Sequence, residues 1–367
     1  MLSKFTVNNF RGFMDEICFD FGAKAYSFNQ QIVRNGLVNK AIVYGKNGIG
    51  KSNLGEAIFD IIYHLSDNKK FDRYDSITYL NLDSKKKYAT FSYEFKFGND
   101  TVYYNYKKAN QITLLTEELY FNDELIISVD YTNYKKRYIN QKYIKSLNTN
   151  IDLKGMSLVK YIYRNADLSE LHLLSTIMTF INNMLWFRRL SEGNSYAGYS
   201  NTIFNFDNCL AKHNSVHEFQ EFLSKYGLEY ELLIKEINGI NQLFANYRNA
   251  EVPFSLVAST GTMTLYLFYV WKLMAFSDVS FVFIDEFDAF LHYEASSELV
   301  KILNSNESFQ SVLTTHNVTL MNNKTTRPDA CYIMTKNRIS CLADCTDKEI
   351  REAHNLEKMY KNGAFNE

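Results

Sequence analysis

Residues 44–54 read YGKNGIGKSNL, and Gly45, Gly50, Lys51 and Ser52 fit the pattern G-x-x-x-x-G-K-[ST]. Each type answers a chemical need of a bound nucleotide. Glycines let backbone N–H groups turn toward a β-phosphate. A helix opening near Lys51 points its positive dipole end at the same oxygens. Lys51 has the reach for the β- and γ-phosphates, and Ser52 offers an oxygen to Mg²⁺. The run FVFIDE, residues 281–286, supplies what the loop lacks. Four apolar residues predict a strand buried on both faces. Two acids at the end of such a strand require a cation or a reaction to serve. Asp285 suits the magnesium shell, and Glu286 suits orienting or deprotonating the attacking water. His316 closes SVLTTH. At the carboxyl edge of a parallel sheet it faces the nucleotide side and is placed to donate to a γ-phosphate.

Other titratable residues carry weaker signals. His292, in AFLHYE, reads equally as a packing residue or a neighbour of the site. His213 and His217 share helical spacing without a carboxylate or cysteine ligand set, and Cys341 and Cys345 lack partner ligands, so no metal site is read there.

The elements needed to position these groups are legible around them. LSKFTVNNF and EICFDF alternate as two hairpin strands, and KAIVYG is a buried strand entering the glycine loop. KSNLGEAIFDIIYHL has helical spacing through Leu65. Residues 88–129 alternate apolar and polar as an antiparallel sheet, with hairpin turns at GND and FND. Asp167 with Glu170 reads as a capping box opening one long helix through LSELHLLSTIMTFINNMLWF. Helices are expected near Val216–Tyr226 and Tyr230–Ile240. After Pro253 the helix Thr260–Phe276, the strand SFVFIDE, a helix Tyr293–Asn304, the strand SVLTTH, ACYIMTK, RISCLA and a final helix from about Asp347 to Lys361 follow. Ile350, Leu356 and Met359 on that last helix form a packing or docking face. No heptad run predicts a coiled-coil arm. The expected domains are a core of 1–65 with 250–367, a β-rich segment 66–166 and a helical insertion 167–249.

The whole chain sets bounds. It has 367 residues and is 46 % apolar, ample for one large α/β unit with an insertion. A formal net charge of −1 excludes a generally polybasic nucleic-acid binder, so such a contact requires a local patch. Residues 133–145, NYKKRYINQKYIK, interleave bases with tyrosines as backbone-and-stacking sites do, and KKKY at 85–88 adds charge. Solvated strand edges use lysine as well, and both readings stand. Five cysteines without a CxxC pair suit a reduced, cytoplasmic protein. The first residues lack a signal-peptide core, and MTLYLFYVWKLMAF is too short to span a bilayer, so no membrane association is expected.

Five separate motifs together resemble those of SMC-like and ABC-type ATPases, over about residues 1–65 and 250–345. GKNGIGKSN has the G-x-N-G-x-G-K-[ST]-N form, and NNFRGF resembles their opening strand. STGT, residues 259–262, looks like their signature motif in an S-x-G-T variant. DEFD, residues 285–288, resembles their acidic pair with the D-loop aspartate, and TTHN resembles their histidine switch. Within that superfamily the chain looks most similar to stand-alone OLD-like and RloA-like bacterial ATPases linked to phage defence. Two departures stand out: the signature is not LSGGQ, and no glutamine is assigned to the coupling loop.

The resemblance implies a fold and a set of roles. The fold is an ABC/SMC-type ATPase head of the α/β class, with a split nucleotide-binding fold, an antiparallel β subsheet and a helical insertion. The cofactors are ATP and Mg²⁺. Gly45, Lys46, Asn47, Gly48, Ile49, Gly50, Lys51, Ser52 and Asn53 wrap the phosphates. Ser52 and Asp285 hold the metal, and Lys51, Glu286 and His316 are catalytic. Ser259, Gly261 and Asp288 complete a site shared across a head-to-tail homodimer, in which the signature helix caps the partner's γ-phosphate. The implied activity is a regulatory ATPase controlling a separate effector, a nuclease or toxin, since only about fifty residues follow His316. The alternative is an SMC-like DNA-repair or chromosome ATPase that binds DNA.

Overall fold

The structure, a computed structural model, describes residues 1–67, 77–133, 136–144, 147, 153, 155–187, 196–198, 205–274 and 278–365. The chain opens on the expected hairpin, β1 (Leu2–Asn8) and β2 (Ile17–Asp20), which pair antiparallel. A short ribbon of β3 (Val33–Arg34) and β4 (Leu37–Val38) precedes β5 (Lys40–Tyr44), buried along its whole length. The glycine loop then leads into α1 (Lys51–Phe59). The single helix expected through Leu65 is interrupted at Asp60, and α2 (Ile62–Leu65) resumes it. At the interruption the Tyr93 hydroxyl lies within hydrogen-bond reach of the carbonyls of Ala57 and Ile58 (3.0 and 3.2 Å), where the ladder would continue.

Strands β6 (Ala89–Phe97), β7 (Asp100–Lys108), β8 (Leu114–Phe121), β9 (Glu124–Asp130) and β10 (Arg137–Ile139) follow. They extend the first hairpin into one antiparallel sheet of order β10-β9-β8-β7-β6-β1-β2. Alternation drives it, with Phe91, Tyr93 and Phe95 of β6 all buried. The predicted turns are present. Asn122 and Asp123 both have positive φ (47° and 66°), as a two-residue hairpin loop demands.

The next segment departs from expectation at four points. Helix α3 (Leu158–Asn165), capped by Ser157, precedes Asp167. The capping box does not form: Asp167 accepts from the Ser169 amide (3.0 Å), and α4 (His172–Asn182) starts after Leu171. MLWF, expected as the end of that helix, is strand β11 (Met184–Phe187), with β12 (Tyr196–Gly198) beside it. A short apolar run has no period of its own, and here a neighbouring strand edge decides. After α5 (Phe206–His213) and α6 (Val216–Ser224), the expected helix Tyr230–Ile240 is instead the hairpin β13 (Leu232–Ile237) and β14 (Ile240–Tyr247). Asn238 and Gly239, at φ 53° and 77°, form its turn. β15 (Ala250–Pro253) completes this small sheet.

The last third builds the nucleotide-type sheet. α7 (Phe254–Val257), α8 (Thr260–Met274), β16 (Phe281–Ile284), α9 (Tyr293–Asn304), β17 (Gln310–Thr315), β18 (Cys331–Met334) and β19 (Ile339–Cys341) follow in order. Residues 275 and 276, expected at the end of α8, lie outside the described residues. The final helix, α10 (Leu356–Lys361), starts at the Asn355 cap rather than at Asp347. Ile350 and Leu356 are buried and Met359 packs on the same core, so this face is a packing face.

The second sheet runs β12-β11-β16-β17-β5-β18-β19, with parallel pairing from β11 to β18. It takes strands from both ends of the chain and from the middle, so the split fold is closed by β11 as well. One apolar layer, including Trp186 and Phe283, lies between the two sheets. A second, including Trp271, Ile284 and Leu313, covers the other face. The architecture is α/β with a split nucleotide-type sheet and an antiparallel subsheet, as expected, but the segment 167–249, expected to be helical, also carries β11, β12, β13 and β14.

Candidate nucleotide site

The central strands place the chemistry. β17 lies between β5 and β16, with Thr315 paired to Tyr44 and Leu313 to Ile284. The loops leaving these three strands therefore emerge side by side at their carboxyl ends, where open α/β sheets bind ligands. The glycine loop, the acidic pair and His316 all belong to that edge.

Gly50 is the N-cap of α1 at φ 109°, a conformation L side chains resist. A Cβ there would also lie 3.0 Å from the Phe13 ring. The first loop of the chain thus packs on the phosphate loop, and Arg11 pairs with Glu56 of α1. With no side chain capping α1, its first amides are left for an anion. Lys51 is 5 % exposed, and its ammonium donates to the carbonyls of Gly45 (2.8 Å) and Lys46 (3.1 Å). Burial lowers its pKa, opposed by the charges of Glu286, Asp285 and Asp288.

Asp285 is buried at the end of β16. Ser52 donates to its Oδ2 (2.5 Å) and Thr314 to its Oδ1 (2.6 Å). Burial raises its pKa, and the two hydroxyls oppose the shift. A carboxylate in this setting gains from a cation, and it touches the hydroxyl that the phosphate loop offers to a metal. The donor set, one carboxylate and one hydroxyl of hard oxygen character, fits Mg²⁺. Glu286 is exposed with φ 46°, a left-handed backbone at the expected water-activating position. Asp288 is buried and held by Thr315 (2.8 Å), with burial raising its pKa. His316 is exposed beside it on the next loop.

The residues of STGT lie at the start of α8. Ser259 caps α8 by accepting from the Thr262 amide (3.2 Å). Gly261 is a close-approach glycine, since a Cβ there would lie 2.6 Å from the Phe290 carbonyl. The start of α8 therefore seats directly on the loop that carries Glu286 and Asp288. Phe290 and Leu256 beside it are 49 % and 75 % exposed.

The remaining candidates separate. His292 is exposed at the N-cap position of α9. His213 and His217 are exposed, and His217 pairs with Glu221. Among the described residues no group of three or more His, Cys, Asp or Glu stands ready for a metal ion. No described helix is long and apolar enough to cross a membrane. In the basic stretch 133–145, Tyr134, Lys135 and Lys145 lie outside the described residues, while Lys142 pairs with Glu124. Sequence reading missed Thr314 and Thr315 as site residues. The signal was two hydroxyls ending an otherwise buried strand, where each must find a partner.

Residues 40–322 match the family model described as "AAA domain, putative AbiEii toxin, Type IV TA system". No curated protein matches the chain in sequence. Among solved structures, the chain is similar to an SMC head bound to the C-terminal winged-helix domain of ScpA, at 14 % identity and TM-score 0.49, covering 92 % of this chain and 96 % of that one. It is similar to the SMC head domain of Thermotoga maritima at 14 % identity and TM-score 0.43, covering 93 % and 98 %. It is also similar to the recombination mediator RecF with ATP, at 13 % identity and TM-score 0.39, covering 93 % and 99 %.

Proposed function

The chain belongs to this AAA-domain family, and on that premise we propose that it binds ATP with Mg²⁺, hydrolyses it, and uses the cycle to control a separate effector. The observation that carries this reading is the Asp285 carboxylate held by Ser52 of the phosphate-loop helix at 2.5 Å.

The residues divide the work. The loop 45–53 and the first turn of α1 receive the phosphates. Lys51 leaves the Gly45 and Lys46 carbonyls for the β- and γ-phosphate oxygens. Ser52 and Asp285 would hold Mg²⁺, which when bound neutralises charge on the phosphate oxygens. Glu286 accepts a proton from, or orients, the attacking water. His316 donates toward the γ-phosphate, and Asp288 holds the loop between Glu286 and α8.

A homodimer is part of the proposal. Ser259 and Gly261 open α8 among exposed Leu256 and Phe290, a surface suited to meeting the nucleotide bound by a second copy. ATP then bridges two chains, and hydrolysis removes the phosphate that joins them. The effector of this proposal, a nuclease or toxin in anti-phage defence, is a separate protein.

Binding of a fluorescent ATP analogue tests the first step. Wild type binds in a Mg²⁺-strengthened manner, and Lys51→Ala loses binding or turnover. Unaltered binding and turnover in that variant would place the nucleotide elsewhere. Labelled DNA or RNA incubated with the protein and Mg²⁺ or Mn²⁺ should stay intact. Cleavage that persists in Glu286→Gln would put a nuclease within this chain and sink the two-component reading.

A further inference from the structure

Two adjacent threonines end β17, and both are fully buried. The Thr314 hydroxyl donates to Asp285 Oδ1 (2.6 Å) and accepts from the Glu286 amide (2.8 Å). The Thr314 carbonyl accepts from the Phe287 amide (3.2 Å). Three successive residues of the acidic loop are thus tied to one residue of the neighbouring strand. Thr315 repeats the arrangement one step on, donating to Asp288 Oδ2 (2.8 Å) and accepting from the Asn317 amide (2.9 Å).

The ties meet a conformational need. Glu286 at φ 46° has a backbone that costs an L-residue on the order of 1–3 kcal/mol, and it persists only where its surroundings over-determine it. The bonds from Asp285, Glu286 and Phe287 to Thr314 bracket that residue on both sides. Valine has nearly the same shape and fills a buried strand at least as well. What threonine adds here is the hydroxyl, and its partners are the carboxylate and amide of the site.

We propose that Thr314 is a positioning residue for hydrolysis: its hydroxyl sets the orientation of the metal-holding Asp285 and the left-handed turn that aims Glu286. This rests on the ATP-hydrolysing reading above. It differs from a packing role in what it moves. Nucleotide held by the loop and α1 does not depend on Thr314, whereas metal affinity and turnover do.

Thr314→Val and Thr314→Ser distinguish the two. Four quantities are compared with wild type: the ligand-free melting temperature, metal-free binding of a fluorescent ATP analogue, Mn²⁺ affinity with a non-hydrolysable ATP analogue by electron paramagnetic resonance, and kcat with KM. Thr314→Val is expected to keep its metal-free nucleotide binding and to lose only a few degrees of melting temperature, since the Glu286 amide and one Asp285 oxygen lose a partner. It loses about 10–100-fold in Mn²⁺ affinity and in kcat, the scale of groups that orient a metal ligand. Thr314→Ser restores both. Wild-type Mn²⁺ affinity and kcat in Thr314→Val overturn the inference. So does a loss that follows a larger fall in melting temperature and that serine does not restore; if valine does not fold, Thr314→Ala is judged by the same criteria. Wild-type protein without Lys51-dependent turnover overturns the hydrolase reading, and this inference with it. Turnover in wild type beside an unaffected Thr314→Val overturns the inference alone.

Discussion

Ser52 and Asp285 stand 233 residues apart in the chain and share a hydrogen bond of 2.5 Å. The bond joins the first turn of α1 to the end of β16, and β17 between them contributes Thr314 to the other carboxylate oxygen. The site thus depends on the sheet order, which no local stretch of sequence contains.

If the site is shared between two copies, defects in different halves should complement. Ser259→Arg puts bulk and positive charge at the start of α8, and Lys51→Ala disables the loop. Each alone should be inactive. Mixed in equal amounts and allowed to exchange, they should recover about a quarter of wild-type turnover. Half the dimers are mixed, and each of those holds one intact site. A mixture as inactive as its parts would show that each chain carries a whole site.

Behind the phosphate loop lies a buried ion pair. Lys108 and Asp60 are 0 % and 2 % exposed with N···O 2.7 Å, and Tyr79 and Tyr106 donate to the same carboxylate. Removing one partner strands the other charge in a dry interior. Lys108→Ala is expected to cost about 3–5 kcal/mol, read as a lower urea midpoint. A midpoint equal to wild type would mean that water or a neighbour takes over the pairing.

Lys40 gives a pH-dependent term. Burial, with Arg34 adding to it, pulls its pKa down to about 7 from 10.5, and its ammonium donates to the Phe309 carbonyl. Between those values the unfolded chain holds the proton that the native protein releases. The unfolded state therefore binds more protons, and this term makes stability rise with pH across that window. Below about 7 both states are charged and the burial penalty is full. Lys40→Met should stabilise most at the acidic end, with the gain shrinking as pH rises. Thermal melting of both proteins across that range checks this, and a gain that grows with pH would contradict it.

The parts of this molecule that were legible in sequence are those whose signal is local. The glycine loop, FVFIDE and SVLTTH carry their chemistry within a few residues, and alternation marked β6 to β9. The failures have physical reasons. MLWF became β11 because the edge of β16 accepts it, a pairing set by distant sequence. The hairpin of β13 and β14 was announced by Asn238–Gly239, but only one residue of β13, Leu232, is buried, so alternation was too weak to support the turn. Asp167 had the spacing of a cap and spent its side chain on Ser169. Thr314 and Thr315 looked like ordinary strand residues until the acidic loop was seen bonded to them.

Phosphate release from ATP by wild type and Glu286→Gln, with bound nucleotide and molecular mass measured alongside, tests the central claim most directly. Wild type should turn over with Mg²⁺. Glu286→Gln should retain ATP and Mg²⁺ through Ser52 and Asp285, accumulate as an ATP-bound dimer, and hydrolyse about 10²–10⁴-fold more slowly. Wild-type turnover in Glu286→Gln would remove Glu286 from the chemistry, and a wild-type protein that releases no phosphate would contradict the account itself.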